Sequence, residues 1–316
     1  MKPAPFQYHC PADLDQALAL LAELGPEAKV LAGGQSLVPV LNMRLATPAH
    51  IVDLNKVPGL DEVAVGEDAV TVGALVRHAQ LLADPGAQAA QPLLAQALTW
   101  VAHPVIRNRG TTVGSLVHAD PSGEMPAVLA LTGGSVRLRS ARGERTVGAE
   151  EFFVGPMESC VADDEIAVSA DFGRFPEGTR TGYTAITRRH GDYALAGVAL
   201  AVQVDGDGRA GDGDGARGVT GGGVVGGGGI TAARASYVSL TEVPAVLELT
   251  EVLRGATADD LADRLDAVAQ AVAGHVDPVD DIHASADYRR HLGVVQTQRL
   301  LTTLVAGAGT DEESPA

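Results

Sequence analysis

Two cysteines, Cys10 and Cys160, are all the 316-residue chain holds. Two thiols cannot build a disulfide framework, and they cannot ligate a zinc ion or an iron–sulfur cluster without help from another chain. They read as unpaired thiols in a reducing cytosol. Aromatic residues are also scarce, at 3%, so alanine, valine, leucine and glycine carry the apolar load. Positive charge is short: 23 Lys and Arg against 40 Asp and Glu leave a net charge of −17. That excludes the basic footprint of a nucleic-acid binder. Long apolar runs are missing as well. The longest, Ala194 to Val204, is far below the roughly 20 residues of a membrane helix. Met1 to Pro11 has no apolar core of signal-peptide length. A soluble, cytoplasmic protein is expected. The histidines show no metal-ligand spacing such as H-E-x-x-H, so no metal site is expected.

What is there suffices for a packed core: 46% of residues are hydrophobic and 20% charged. The length suggests about two domains. Leucines at 14, 18, 20, 21 and 24 have helical spacing, and Gly25–Pro26 stop that helix. Short strands are predicted at 29–31 and 51–54, and a hairpin at 63–72 around Gly-Glu-Asp. Helices are predicted near 75–83, 88–99 and 124–131, and strands at 135–139, 144–147, 165–171, 181–188 and 194–204. Residues 206–229 carry 13 glycines in 24 positions. Glycine has no side chain to bury and much backbone entropy to lose, so this tract reads as a flexible hairpin loop. Its end, 224–230, is expected to rejoin a strand. Helices at 242–253, 258–272 and 286–305 and a frayed tail from Gly307 complete the reading. The order of elements suggests α+β with a smaller C-terminal domain.

Two glycine-containing loops carry the chemistry. Ala32-Gly33-Gly34-Gln35-Ser36 follows a short apolar strand. Paired glycines let the backbone approach closely and adopt positive φ, and Ser36 adds a donor, which together aim N–H groups at an anion. Taken alone, the motif fits a tight strand-to-helix turn equally. The second loop, Arg109-Gly110-Thr111-Thr112-Val113-Gly114-Ser115, again offers glycines and hydroxyls, with Asp120 and Glu124 shortly after it. A carboxylate just beyond a phosphate loop can hold ribose hydroxyls; a solvated charge at a helix start would look the same. Neither loop fits G-x-G-x-x-G, which disfavours a Rossmann site. Two separated donor-rich loops suit a diphosphate gripped from two sides.

Several ordered motifs together resemble one family. Ala-Gly-Gly-Gln-Ser at 32–36, Asn-Met-Arg-Leu at 42–45, Ile-Val-Asp-Leu-Asn at 51–55, Arg109 through Pro126, Arg188 through Ala194, and Asp280 through Ser285 with Tyr288-Arg289-Arg290 are similar to the FAD-binding medium subunit of the molybdenum hydroxylases, the carbon monoxide dehydrogenase and xanthine dehydrogenase family. The resemblance spans nearly the whole chain. It implies an α+β fold: a vanillyl-alcohol-oxidase-like (PCMH-type) FAD-binding domain of two α/β subdomains, about 1–57 and 58–176, and a C-terminal domain, 177–316, with a small antiparallel sheet and helices.

The resemblance further implies non-covalent FAD held at its pyrophosphate by Ala32, Gly33, Gly34, Gln35 and Ser36 with Thr111, Thr112, Val113, Gly114 and Ser115. Glu124 matches an acidic position at the adenosine ribose, and Tyr193 an aromatic that covers one face of the flavin ring. A large molybdopterin subunit and a small subunit with two-iron two-sulfur clusters are the implied partners, assembled as a dimer of heterotrimers. Electrons then pass from the clusters through FAD to an external acceptor, so the chain needs no catalytic side chain of its own. A carbon monoxide dehydrogenase-type medium subunit is the first reading. The alternatives are a stand-alone flavoprotein oxidase of the same fold, or the medium subunit of an aldehyde, xanthine or N-heterocycle dehydrogenase. The family reads Thr-Ile-Gly-Gly-Ser where this chain has Thr111-Thr112-Val113-Gly114-Ser115. A positive φ at that glycine would strain Val113 by about 1 kcal/mol or more.

Overall fold

A computed structural model describes residues 2–205 and 228–307. The glycine-rich tract, apart from Gly228 and Gly229, and the tail beyond Gly307 lie outside the described residues, as does most of the strand expected at 224–230.

The first unit is a parallel sheet covered by a helix. Its elements are β1 (Gln7–His9), α1 (Leu14–Leu24), β2 (Ala28–Leu31), α2 (Leu37–Asn42) and β3 (His50–Asp53), with strand order β1-β3-β2. The leucine spacing forms α1 as expected. Asp13 caps it by accepting the Gln16 N–H at 2.8 Å. Ala17, Leu18 and Leu21 turn inward onto Val52 and Leu54. Loop 32–36 leaves the C-terminal end of β2, where a parallel sheet presents its connections to ligands.

The second unit is an antiparallel sheet backed by helices. The hairpin β4 (Val63–Val65) and β5 (Ala69–Gly73) leads into α3 (His78–Ala83), α4 (Pro85–Ala90), α5 (Pro92–Leu98), α6 (Pro104–Arg107), α7 (Thr112–His118) and α8 (Glu124–Leu131). Strands β6 (Ser135–Ser140) and β7 (Gly143–Gly148), helix α9 (Ala149–Phe152), the ribbon β8 (Phe153–Gly155) with β9 (Glu158–Ser159), and β10 (Ile166–Gly173) follow. The sheet order is β4-β5-β10-β6-β7. The single helix expected at 88–99 is two. Pro92 forces Gln91 out of helical geometry, to φ −145° and ψ 82°, and the buried Gln91 amide donates to the Gly173 carbonyl at 2.5 Å.

The third unit is a four-stranded antiparallel sheet, β11 (Thr179–Thr187), β12 (Ala194–Val204), β13 (Ile230–Val238) and β14 (Val246–Glu248), in that order. Helices α10 (Thr250–Leu253), α11 (Leu265–His275) and α12 (Ala286–Val305) accompany it, with α12 packed along β11 and β12. The helix expected at 242–253 is mostly absent. Val246–Glu248 instead pairs with the free edge of β13, from Arg234↔Glu248 to Ser236↔Val246, and only Thr250–Leu253 coils. The helix expected from 258 starts later, because Leu261–Arg264 forms a tight 3₁₀ turn first. The second and third units share one core: Val113, Leu116, Met125 and Phe172 cluster with Tyr183, Ala199 and Val238.

Candidate functional site

The two loops, far apart in sequence, meet at Gly33. A Cβ on Gly33 would lie 2.5 Å from the Arg109 carbonyl oxygen, 2.9 Å from the Gly110 Cα and 2.9 Å from the Thr111 nitrogen. All three are backbone atoms, so only glycine lets the loops touch. Gly34 follows at φ +76°, a conformation that side chains disfavour. Among the described residues, no protein acceptor takes the backbone N–H of Gly34, Gln35 or Ser36. The Gln35 amide donates to the Gly33 carbonyl at 3.2 Å, which holds the turn in shape. Ser36 starts α2 without a side-chain capping bond. A cradle of unused donors beside a glycine contact fits an anionic, phosphate-bearing group.

The second loop is largely a helix. Thr111 is the N-cap of α7, and its hydroxyl accepts the Gly114 N–H at 3.2 Å. A Cβ on Gly114 would meet that hydroxyl at 2.5 Å, so the glycine permits the cap. Two expectations are corrected here. Thr112 and Val113 bury their side chains completely, at 0% and 1% exposure, and cannot offer them to a cofactor. The Thr112 hydroxyl lies 3.1 Å from Nδ1 of His78, and its N–H donates to the Val76 carbonyl. Val113 has no positive φ; it is the second residue of the helix and is unstrained. Only its N–H stays unengaged among the described residues. Ser115 is half-buried. His78 is neutral at physiological pH, since burial and the nearby Arg107 push it down to about 4.

A second cluster gathers where α8 meets the third unit. Tyr193, 67% exposed, stands beside Asp120 and Glu124. Burial of its hydroxyl and those two charges push it up to about 12. Burial raises the Glu124 carboxyl to about 7, and the neighbouring Asp120 adds to this. The buried Tyr183, whose hydroxyl has no hydrogen-bond partner among the described residues, lies within reach of the same charge. The 120–122 turn is pinned to the third unit. The Ser239 hydroxyl donates to the Ala194 carbonyl at 2.7 Å and accepts from the Ser122 hydroxyl at 2.9 Å, and its N–H donates to the Pro121 carbonyl. Two residues after Tyr193, the Leu195 carbonyl accepts from the buried Arg289 of α12 at 2.7 Å, and Arg289 also donates to Asp281 at 2.5 Å. Asp281 is pulled down to about 2: burial opposes the charge, but Arg289 and the N–H groups of Ala284 and His283 outweigh it. The rings of His103 and His190 meet edge-on with centroids 5.5 Å apart.

Several residues at these sites have no role assigned by the sequence, although Asp53 and Asn55 lie in the 51–55 motif. Asn55 donates to the Ala32 carbonyl at 2.9 Å and to Asp53 at 2.5 Å. Arg77 donates to Asn55 at 2.5 Å and to the Arg109 carbonyl at 2.6 Å. The Tyr8 hydroxyl donates to the other Asp53 oxygen at 2.5 Å. Burial opposes the Asp53 charge, but these hydrogen bonds and Arg109 hold it below the usual carboxylate range. The 51–55 motif is the signal that could have found Asp53 and Asn55; Arg77, which precedes α3, has none. Among the described residues no group of histidine, cysteine, aspartate or glutamate could hold a metal, and no helix is long and apolar enough to cross a membrane.

Comparisons with known proteins show the family. The family model for the FAD binding domain in molybdopterin dehydrogenase matches residues 4–172, and that for the CO dehydrogenase flavoprotein C-terminal domain matches residues 181–304. The 6-hydroxypseudooxynicotine dehydrogenase complex subunit alpha of Paenarthrobacter nicotinovorans is 37% identical over 314 residues, covering 99% of each chain. A chain of carbon monoxide dehydrogenase from Hydrogenophaga pseudoflava superposes with a TM-score of 0.83 at 30% identity, covering 96% of this chain and 98% of its own. A chain of quinoline 2-oxidoreductase from Pseudomonas putida 86 gives 0.82 at 31% identity, covering 98% and 99%. Relatives are thus named as subunits of larger complexes, and the motifs, the loop contact and both family models converge: the chain belongs to the FAD-binding medium subunits of the molybdenum hydroxylases.

Proposed function

We propose that loops 32–36 and 111–115 grip the FAD pyrophosphate from two sides and that Tyr193 covers one face of the flavin ring. The observation that carries this reading is the backbone contact at Gly33, which sets the unengaged N–H groups of Gly34, Gln35 and Ser36 beside the start of helix α7, where the Val113 N–H is also without a protein acceptor among the described residues. From the first loop Ala32, Gly33, Gly34, Gln35 and Ser36 serve. From the second, the Val113 N–H, the half-buried Gly114 and Ser115, and Thr111, whose backbone lies against Gly33, serve. Glu124 accepts a ribose hydroxyl. Its carboxyl, raised toward 7 by burial, is stabilised as an anion by such a donor. FAD supplies the redox chemistry when bound; the chain binds it, orients it and limits water at the ring. Tyr193 does the last by offering a flat apolar face at low entropic cost. No side chain of this protein needs to exchange a proton with substrate. We take residues 1–176 as the FAD-binding domain and 177–316 as the C-terminal domain.

The chain works as the middle link of a complex. A small subunit with two-iron two-sulfur clusters passes electrons in, and a large molybdopterin subunit oxidises the substrate, in a dimer of heterotrimers. The two unpaired thiols, Cys10 and Cys160, suit this division and a cytoplasmic setting. Relatives named for a nicotine derivative, quinoline and carbon monoxide share this fold, so the substrate is chosen by the large subunit. N-heterocycles are the favoured class, since two of these three names denote one. The test is an absorption spectrum of the purified chain with FAD, repeated after denaturation and filtration. Flavin bands at about 370 and 450 nm, a property of the cofactor, should leave with the filtrate. Bands retained by the denatured chain would mean a covalent link and a stand-alone oxidase. Co-purification of iron and molybdenum with the native chain completes the test.

A further inference from the structure

We infer that Arg77 and Asn55 are positioning residues for the flavin dinucleotide, forming a strap across the seam between the first two units that fixes the spacing of the two gripping loops. The inference rests on the reading of those loops as the pyrophosphate grip.

The seam needs such a device. Loop 32–36 belongs to the parallel sheet of the first unit and loop 109–115 to the helices of the second. Their direct contact is Gly33 on backbone, which excludes a side chain but offers little attraction of its own. Asn55 and Arg77 supply the missing bonds. The Asn55 amide holds Ala32, the residue that opens the first loop. Its oxygen receives one arm of Arg77, whose other arm holds the Arg109 carbonyl, the backbone atom facing Gly33. Two linked side chains thus tie the loops by their carbonyls, Asn55 at Ala32 and Arg77 at Arg109, and leave the N–H groups of Gly34, Gln35 and Ser36 for a ligand. Behind Asn55 stands Asp53, which accepts from the Asn55 amide and N–H and from Tyr8, so the asparagine cannot rotate. Arg77 is anchored from behind as well, since it bridges to Thr111 through the backbone.

The chemistry of the strap suits an anion. A planar guanidinium reaches two acceptors in fixed directions; a lysine ammonium carries three rotatable donors but no such fork. Arg77 is half-buried and lies beside Arg109, a like charge that disfavours its own ionised form. A protein with a net charge of −17 has gathered two cations at the junction of its donor-rich loops. A bound pyrophosphate would relieve that repulsion.

The experiment titrates the full-length apoprotein with FAD, following the quenching of flavin fluorescence, and records the thermal midpoint of each apoprotein. Asn55→Ala and Arg77→Met should each raise the FAD dissociation constant about tenfold, the effect of roughly one charge-assisted hydrogen bond. The double variant should lie within about threefold of the weaker single one, because both break one path. Arg77→Lys should fall between Arg77→Met and the unmodified protein. Gly33→Ala, which forces the loops apart directly, serves as the reference and should weaken FAD binding at least as much. Unchanged affinity in both strap variants, with Gly33→Ala impaired, would overturn the strap and leave the loop reading intact. Unchanged affinity in Gly33→Ala would remove the loop reading itself. If the strap variants lower the apoprotein's thermal midpoint but bind FAD normally below it, the residues are merely structural and the inference falls.

Discussion

Replacing Val113 with glycine separates the two accounts of the second loop most sharply. By family pattern the change restores the usual residue, so it should relieve strain and improve FAD binding. The structure requires the opposite. Val113 is 1% exposed, lies in the first turn of α7, and shares a core with Leu116, Met125 and Phe172. Removing a buried valine side chain costs about 1.5–3 kcal/mol in lost burial. Glycine in place of valine in a helix adds roughly 0.3–0.5 kcal/mol. The sum is about 2–3.5 kcal/mol, which at roughly 2–4 °C per kcal/mol for a unit of this size lowers the thermal midpoint by about 4–14 °C. Circular dichroism of the apoprotein during a temperature ramp measures it. The backbone N–H at 113 survives the substitution, so FAD affinity of the folded variant should stay within about threefold. A Val113→Gly protein as stable as the original that binds FAD more tightly would refute the helical account of this loop.

Three further perturbations test the second cluster. Tyr193→Ala should leave FAD bound at its phosphates but weaken it by about 0.5–1.5 kcal/mol, two- to tenfold, and leave the flavin more fluorescent; an unchanged emission spectrum would remove Tyr193 from the ring. Glu124 titrates at about 7 when folded and at 4.5 when unfolded, because burial disfavours its charge. The folded state therefore binds the extra proton, and the group's contribution is fully present below pH 4.5 and lost as pH rises through 7. Glu124→Gln should thus gain stability over the original apoprotein as pH rises, by at most about 3 kcal/mol above pH 7, and a gap in midpoint that does not change with pH would contradict it. Arg289→Met should cost about 3 kcal/mol or more by stripping the Leu195 carbonyl of its donor and Asp281 of its cation. Hydrogen exchange should then speed up first at 193–196 and 281–285, and protection lost evenly over the whole chain would speak against this local role.

Elements with their own local stop and start signals are legible in the amino-acid sequence alone. Helix α1 has its leucine spacing, and Asp13 and Gly25 border it; α12 likewise begins at Ser285, which accepts the Tyr288 N–H. The motifs at 32–36, 109–126 and 188–194, taken in order, are enough to indicate the family and its flavin. The reason is that such motifs are set by what a ligand demands of a few consecutive residues. Tertiary structure decides what local sequence leaves open. Val246–Glu248 could coil with its neighbours, but the unpaired edge of β13 makes it a strand. Thr111–Ser115 reads as a glycine loop, yet packing of Val113 and Leu116 against the second core winds it into a helix. The Glu124 carboxyl is ordinary in sequence and abnormal in place, because α8 carries it against Tyr183 and Asp120. Gly33 becomes the hinge of the site only when Arg109, Gly110 and Thr111 close on it. A contact between residues so distant along the chain has no local energy to betray it; it exists only where both sheets are already built.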